Sequence, residues 1–176
     1  GDLYHGFHSC SGEIGQCVLV EDGPRSGWGQ RGCFEALGAG PAMAERAWRI
    51  VRETPLPSAM SAHMDAKVAI DPKVVFEAAT ANDRLACETV RRTAEHIGRG
   101  LSLLINILDP EKIIIGGGIA KGGEYLLGLI RQYTAYYTFH QACKQTEIVL
   151  SPDLDNLPII GAANLIFKRK QRCSYG

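Results

Sequence analysis

Two carboxylates near the start of the chain offer the clearest chemistry. Glu13 stands in Ser11-Gly12-Glu13-Ile14-Gly15, and Glu35 closes Arg31-Gly32-Cys33-Phe34-Glu35. A carboxylate accepts two hydroxyl hydrogen bonds at once, and an ionised acceptor bonds more strongly than a neutral one. Spacing alone favours plainer roles for both: Glu35 as a first-turn helix glutamate facing the dipole, and Glu13 as a solvated turn residue. A third feature is Gly116-Gly117-Gly118, directly after Lys112-Ile113-Ile114-Ile115. Glycines let a backbone approach a ligand closely, and amides near a helix start favour phosphate. Turns after strands are also glycine-rich for steric reasons alone, so this run is weak support for phosphate binding by itself.

Other chemistry-bearing residues point to less. His5, His8, His63, His96 and His140 show no metal-ligand spacing. The six cysteines, Cys10, Cys17, Cys33, Cys87, Cys143 and Cys173, form no close pairs. A chain with this much apolar content needs no disulfide framework, so reduced thiols are the simpler reading. Cys17 and Cys87 are expected to be buried as small apolar groups.

These residues must be positioned by α/β elements. The glycine-rich segment 1–32 reads as short strands and tight turns around Cys17-Val18-Leu19-Val20. From Cys33 to Glu53 apolar residues recur at helical spacing, with Gly38, Gly40 and Pro41 redirecting the first turn. Thr54 to Ile70 contains Pro55 and Pro57 and lacks periodicity, which predicts a loop or insertion. Asp71-Pro72 opens a short helix as cap and first residue. Asn82 or Asp83 caps a long helix with Ala86, Val90, Ala94, Ile97, Leu101, Leu104 and Leu108 on one face, ending at Asp109-Pro110. Gly98 and Gly100 inside it cost about 1 kcal/mol each relative to alanine, which close packing explains. The isoleucine run predicts a parallel strand buried on both faces. A helix from Gly123 to Thr138, a strand Glu147–Leu150 and a helix Pro158–Lys170 complete an α/β alternation.

Composition excludes several classes. The chain has 176 residues, 45% of them hydrophobic, enough for a real core. Its 19 basic and 19 acidic residues give zero formal net charge, so gripping a nucleic-acid backbone is not expected. Lys168-Arg169-Lys170 with Arg172 reads as a solvated helix end. No stretch reaches the roughly 20 apolar residues a membrane span needs, so no membrane partner is expected. The start lacks Met and a signal peptide, and it reads as the middle of something longer.

Two segments carry a family resemblance: Ser11–Gly15 with Arg31–Glu35, and Leu108-Asp109-Pro110-Glu111-Lys112-Ile113-Ile114-Ile115-Gly116-Gly117-Gly118. Together they resemble the ROK family of hexose kinases and sugar-responsive repressors. That family carries Gly-Glu-Ile-Gly-His, then Cys-x-Cys-Gly-x-x-Gly-Cys-Leu-Glu. Later comes a long helix ending in Asn/Asp-Pro, a hydrophobic strand and a glycine run. Ile160-Gly161-Ala162-Ala163 is similar to its closing helix. The resemblance implies an α/β lobe of the actin-like ATPase, ribonuclease H-like sugar-kinase type, a sheet flanked by helices. It implies one C-terminal lobe over residues 1–176, with 1–32 on the sugar side and 33–176 the helical and α/β part.

By the same resemblance, Glu13 and Glu35 contact sugar hydroxyls, and Gly116, Gly117 and Gly118 form a nucleotide-side motif for ATP with Mg. Departures are equally informative. The family's structural zinc positions fall on Gln16, Ser26, Trp28 and Cys33, only one of them a suitable ligand. No structural zinc is expected, Trp28 is expected to plug the vacant position, and Gln16 to replace the family histidine at the sugar. The family's first phosphate loop and catalytic aspartate lie upstream of the matching stretch, so no residue here is assigned a catalytic role. Asn82-Asp83 is the only Asn-Asp pair, and its position suits a helix cap. The resulting expectation is the sugar-binding lobe of an ATP-dependent hexose or N-acetylhexosamine kinase, not able to turn over alone, cytoplasmic and homodimeric. The alternatives are the inducer-sensing lobe of a ROK repressor or a non-catalytic relative.

Overall fold

The computed structural model describes residues 3–65, 69–139, 145–152, 156 and 159–164. Helices dominate: α1 Phe34–Gly38, α2 Gly40–Glu53, α3 Ser61–Asp65, α4 Pro72–Thr80, α5 Arg84–Leu108 and α6 Gly123–Tyr137. Two strands, β1 Lys112–Ile115 and β2 Glu147–Leu150, pair in parallel with Lys112 opposite Glu147 and Ile115 opposite Leu150. The arrangement is α/β. Residues 159–164 are helical, the visible part of the expected last helix; the basic cluster 168–172, His140, Cys143 and Cys173 lie outside the described residues.

Helix α5 is the axis on which the rest is built. Asp83 caps it, its carboxylate accepting from Leu85 N and Ala86 N at 3.0 Å each and from Ala59 N at 2.7 Å. One side chain thus fixes both the helix start and the 54–70 connection, where α3 adds a helical turn the sequence did not signal. Asp109 ends the helix in the left-handed region at φ 46°. Along α5, Ala86, Val90, Ala94, Ile97 and Leu101 are buried in one core with Met43, Val75, Leu126, Leu127 and Ile130. The two helix glycines are there for packing. A Cβ at Gly98 would come within 2.6 Å of Tyr133 Cβ on α6, and one at Gly100 within 2.6 Å of the Phe34 ring.

Three local expectations need correction. Cys17–Val20 forms no strand; among the described residues it contributes one antiparallel bridge, Val18 to Cys33. Beyond it the Gly32 carbonyl accepts from both Leu19 N and Val20 N, an irregular pairing that does not continue as a ladder, and Gly32 itself has φ +65°. Strand β1 is not buried on both faces. Ile113 and Ile115 pack on the core, whereas Ile114 is 58% exposed. Each strand pairs on one side only among the described residues. Finally, Cys17 is exposed and Cys87 half-buried; among the described residues the fully buried thiol is Cys33.

Candidate functional site

The segment around Glu13 is shaped by a single 3-10 turn, Ile14–Gln16, with Glu13 at its cap position. Phe34 N donates to Cys17 O at 2.8 Å, tying the end of this turn to the start of α1. Glu35 therefore lies in the first turn of α1, directly against the 3-10 turn. Gln16 Nε2 donates to Glu35 Oε2 at 2.9 Å. A Cβ on Gly15 would sit 3.4 Å from Glu35 Cβ, in ordinary contact, which shows how closely the turn lies against Glu35. Two of the three sugar-side residues are thus brought into direct contact. Glu13 is exposed two residues before Gly15, and its side chain caps no backbone amide of the turn.

A cavity of about 410 Å³ opens beside this pair. Ile14, Gly15 and Glu35 form one end, and Ile113, Ile114, Ile115 and Ile119 another, with Phe34 and Leu101 between them. Its walls are mostly apolar, with Glu35 the charged group. The glycine run borders the same region, since Ile115 and Ile119 flank Gly116, Gly117 and Gly118 in sequence. Gly117 has φ +74°, and a Cβ on Gly117 or Gly118 would meet nothing within 4 Å. The peptide groups there are accessible, and the following turn Gly118–Gly122 leads into α6. An apolar cavity with a few polar groups at its margin is the usual form of a small-molecule site.

The zinc positions implied by the family do not make a metal centre. Gln16 is committed to Glu35, Ser26 Oγ accepts from Trp28 N at 3.3 Å, and Cys33 is buried. Among the described residues, no three His, Cys, Asp or Glu side chains converge to hold a metal ion. Three of the four positions offer neither thiolate nor imidazole, so these residues do not fit zinc. Trp28 does not plug the position either, because it is 82% exposed. The loop is held by its backbone: Ser26 N to Gln30 O at 2.7 Å, Gly32 N to Pro24 O at 2.9 Å and an Arg25–Arg31 bridge. Such hydrogen bonds need no particular side chain, which is why sequence reading looked to the tryptophan.

Comparison with known proteins places the chain in a family. The ROK family model matches residues 1–169. A glucokinase of Thermotoga maritima is 32% identical over 96% of the chain and 53% of its own length. An N-acetylglucosamine repressor of Escherichia coli O157:H7 is 27% identical over 94% of the chain and 39% of its own length. The solved structure of a ROK family glucokinase from Streptomyces griseus in complex with glucose and AMPPNP superposes with a TM-score of 0.74. It is 28% identical and matches 87% of this chain and 50% of that one. The chain spans about half the length of the curated glucokinases it matches. With its motifs, its α/β sugar-kinase fold and a family match over nearly its whole length, the chain belongs to the ROK family.

Proposed function

We propose that this chain is the sugar-binding lobe of an ATP-dependent hexose or N-acetylhexosamine kinase. The observation that carries the reading is the Gln16–Glu35 hydrogen bond at the mouth of the cavity. It holds Oε2 in place and leaves Oε1 to accept from a sugar hydroxyl. Glu13, exposed on the adjoining turn, supplies a second carboxylate, and Gln16 retains its carbonyl as an acceptor. Gly116, Gly117 and Gly118 take the nucleotide side, where open amides suit the phosphates of ATP with its Mg. When bound, the nucleotide supplies the phosphoryl group; this chain's residues bind and orient. The glucokinase relatives support this reading.

The test is release of ADP from MgATP by the natural full-length protein across hexoses and N-acetylhexosamines. Sugar-dependent release that Glu13→Ala abolishes supports the kinase. Folded protein that releases none with any sugar refutes it. A second reading, an inducer-sensing repressor lobe, is favoured by the 27% identity to the N-acetylglucosamine repressor. Sugar binding without ADP release, coupled to a change in DNA affinity, would support that one. No helix among the described residues is long and apolar enough to cross a membrane. Cytoplasmic location and homodimerisation complete the proposal.

A further inference from the structure

A second cavity, of about 460 Å³, shares no lining residue with the first. It lies between α2, α5 and the Val20–Pro24 segment. Helix α2 contributes Arg46, Arg49 and Glu53, one face at spacings of three and four, and α5 contributes Arg92 and His96 one turn apart. Its volume falls in the ordinary range for small ligands, about 300–1,000 Å³. The polar groups converging on it are mostly cationic.

How those cations are partnered decides what the cavity can take. Arg46 donates to Thr93 Oγ1 and to Leu37 O, both at 2.7 Å. Both acceptors are neutral. Among the described residues, no carboxylate lies within ion-pair distance of Arg46 or Arg49; Arg92 is matched by Glu88 at 2.6 Å. Glu53 is the one carboxylate in the lining. His96 Nδ1 is buried with no hydrogen-bond partner. A half-buried guanidinium tied only to neutral groups, next to another cation, is costly unless a counter-charge arrives.

The electrostatics agree. Burial lowers the Arg46 pKa to about 10, with repulsion from Arg49 and Arg92 adding to it and Glu45 opposing. Burial and then Arg46 depress His96 to about 4, with Arg99 and Arg92 pushing the same way and Glu95 opposing. An anion placed among these groups offsets the repulsion between the cations and draws both values upward.

We propose that this cavity is a binding site for a phosphate group, held by Arg46 and Arg49, with His96 in the wall beside them as a group that senses the bound charge. A phosphate presents three or four oxygens, enough to bridge two guanidinium groups that each match its geometry, where a carboxylate offers two. Arg46 keeps N–H groups beyond the two already used, since a guanidinium has five. The same chemistry is offered by inorganic phosphate and by a small phosphomonoester, and the cavity has room for the carbon part of the latter. This site does not depend on the sugar-kinase reading.

The experiment is a titration of the natural full-length protein with inorganic phosphate and, separately, with glycerol phosphate, at ionic strength matched by chloride. The readout is the NMR titration of the His96 imidazole. Saturable binding should move its midpoint upward from about 4. Arg49→Gln, which changes a residue with no ion pair to lose, should weaken binding at least about tenfold, the value of one charge-assisted contact. Tighter binding of glycerol phosphate identifies an ester as the ligand, and equal binding identifies free phosphate. A response that chloride reproduces, no saturable response to either probe, or an Arg49→Gln variant that binds as well as the parent overturns the site.

Discussion

Gln16 and Glu35, nineteen residues apart, meet through a 2.9 Å hydrogen bond from amide to carboxylate. The pair unites the two motifs by which the chain resembles its family. If it orders a sugar acceptor, Gln16→Ala frees Glu35 and removes one acceptor, weakening sugar binding about tenfold. Glu35→Ala should cost more. Calorimetry with the preferred sugar checks both; unchanged affinity in the two variants removes Glu35 from the site.

Gly98→Ala offers a test in which two principles predict opposite signs. Helix propensity alone would make alanine about 1 kcal/mol more stable. The new Cβ would instead lie 2.6 Å from Tyr133 Cβ and 2.8 Å from Thr134 N. Backbone cannot yield cheaply, so destabilisation of about 1–3 kcal/mol is expected in urea denaturation.

Asp83 accepts three backbone amides, from Ala59, Leu85 and Ala86. Its small burial pushes the carboxyl up, but these amides and Ser58 outweigh it and hold the pKa below the usual value. Asp83→Ala should cost about 1–2 kcal/mol, with Asp83→Asn recovering most of it. Thermal melts at neutral pH decide between loss of a cap and a silent surface change.

Acid sensitivity should come in two steps. Burial foremost, then Arg46, pushes the folded His96 down to about 4 from the ordinary imidazole value of 6.5. The unfolded chain therefore takes up this proton first. Stability is complete above about pH 6.5, falls as pH drops toward 4 and levels below. Glu88 is held at about 2 by hydrogen bonding from Arg91 foremost, against burial, with Arg92 assisting. Its contribution is present above about pH 4.5 and is lost as pH falls toward 2. His96→Asn should flatten the upper step alone in denaturation midpoints measured from pH 4 to 7.

Metal removal should be without effect. Prolonged chelation is expected to leave the melting midpoint where it was, because three of the four family zinc positions carry Gln16, Ser26 and Trp28. A drop in midpoint that zinc restores would show that other residues have assembled a centre.

The elements with strong periodicity or caps were legible in the sequence. Asp83 and Asp109 bound α5, Asp71 and Pro72 open α4, and β2 falls on Glu147–Leu150 as expected. These depend on local chemistry, which a sequence states directly. What was not legible depends on partners far away. The fate of Cys17–Val20 turned on a close backbone approach to Gly32, where no side chain would fit, and the burial of β1 turned on which of its faces is covered. The Gln16–Glu35 bond was equally hidden, though both residues were picked out by the motifs. Nothing in the spacing of Arg46, Arg49, Arg92 and His96 announced a shared cavity, since two helices contribute two residues each.

Strand β1 with its half-bare isoleucine face and one-sided pairing carries a consequence for handling. Among the described residues neither outer margin of this parallel pair meets a further strand, although Arg131 already donates to the Ile148 carbonyl, so further strands can be accepted, and Ile114 offers them an apolar surface. Whatever covers those margins in the cell also protects the chain from accretion. Produced without such cover, the chain should lose material to aggregates in proportion to its concentration, with its fold otherwise intact.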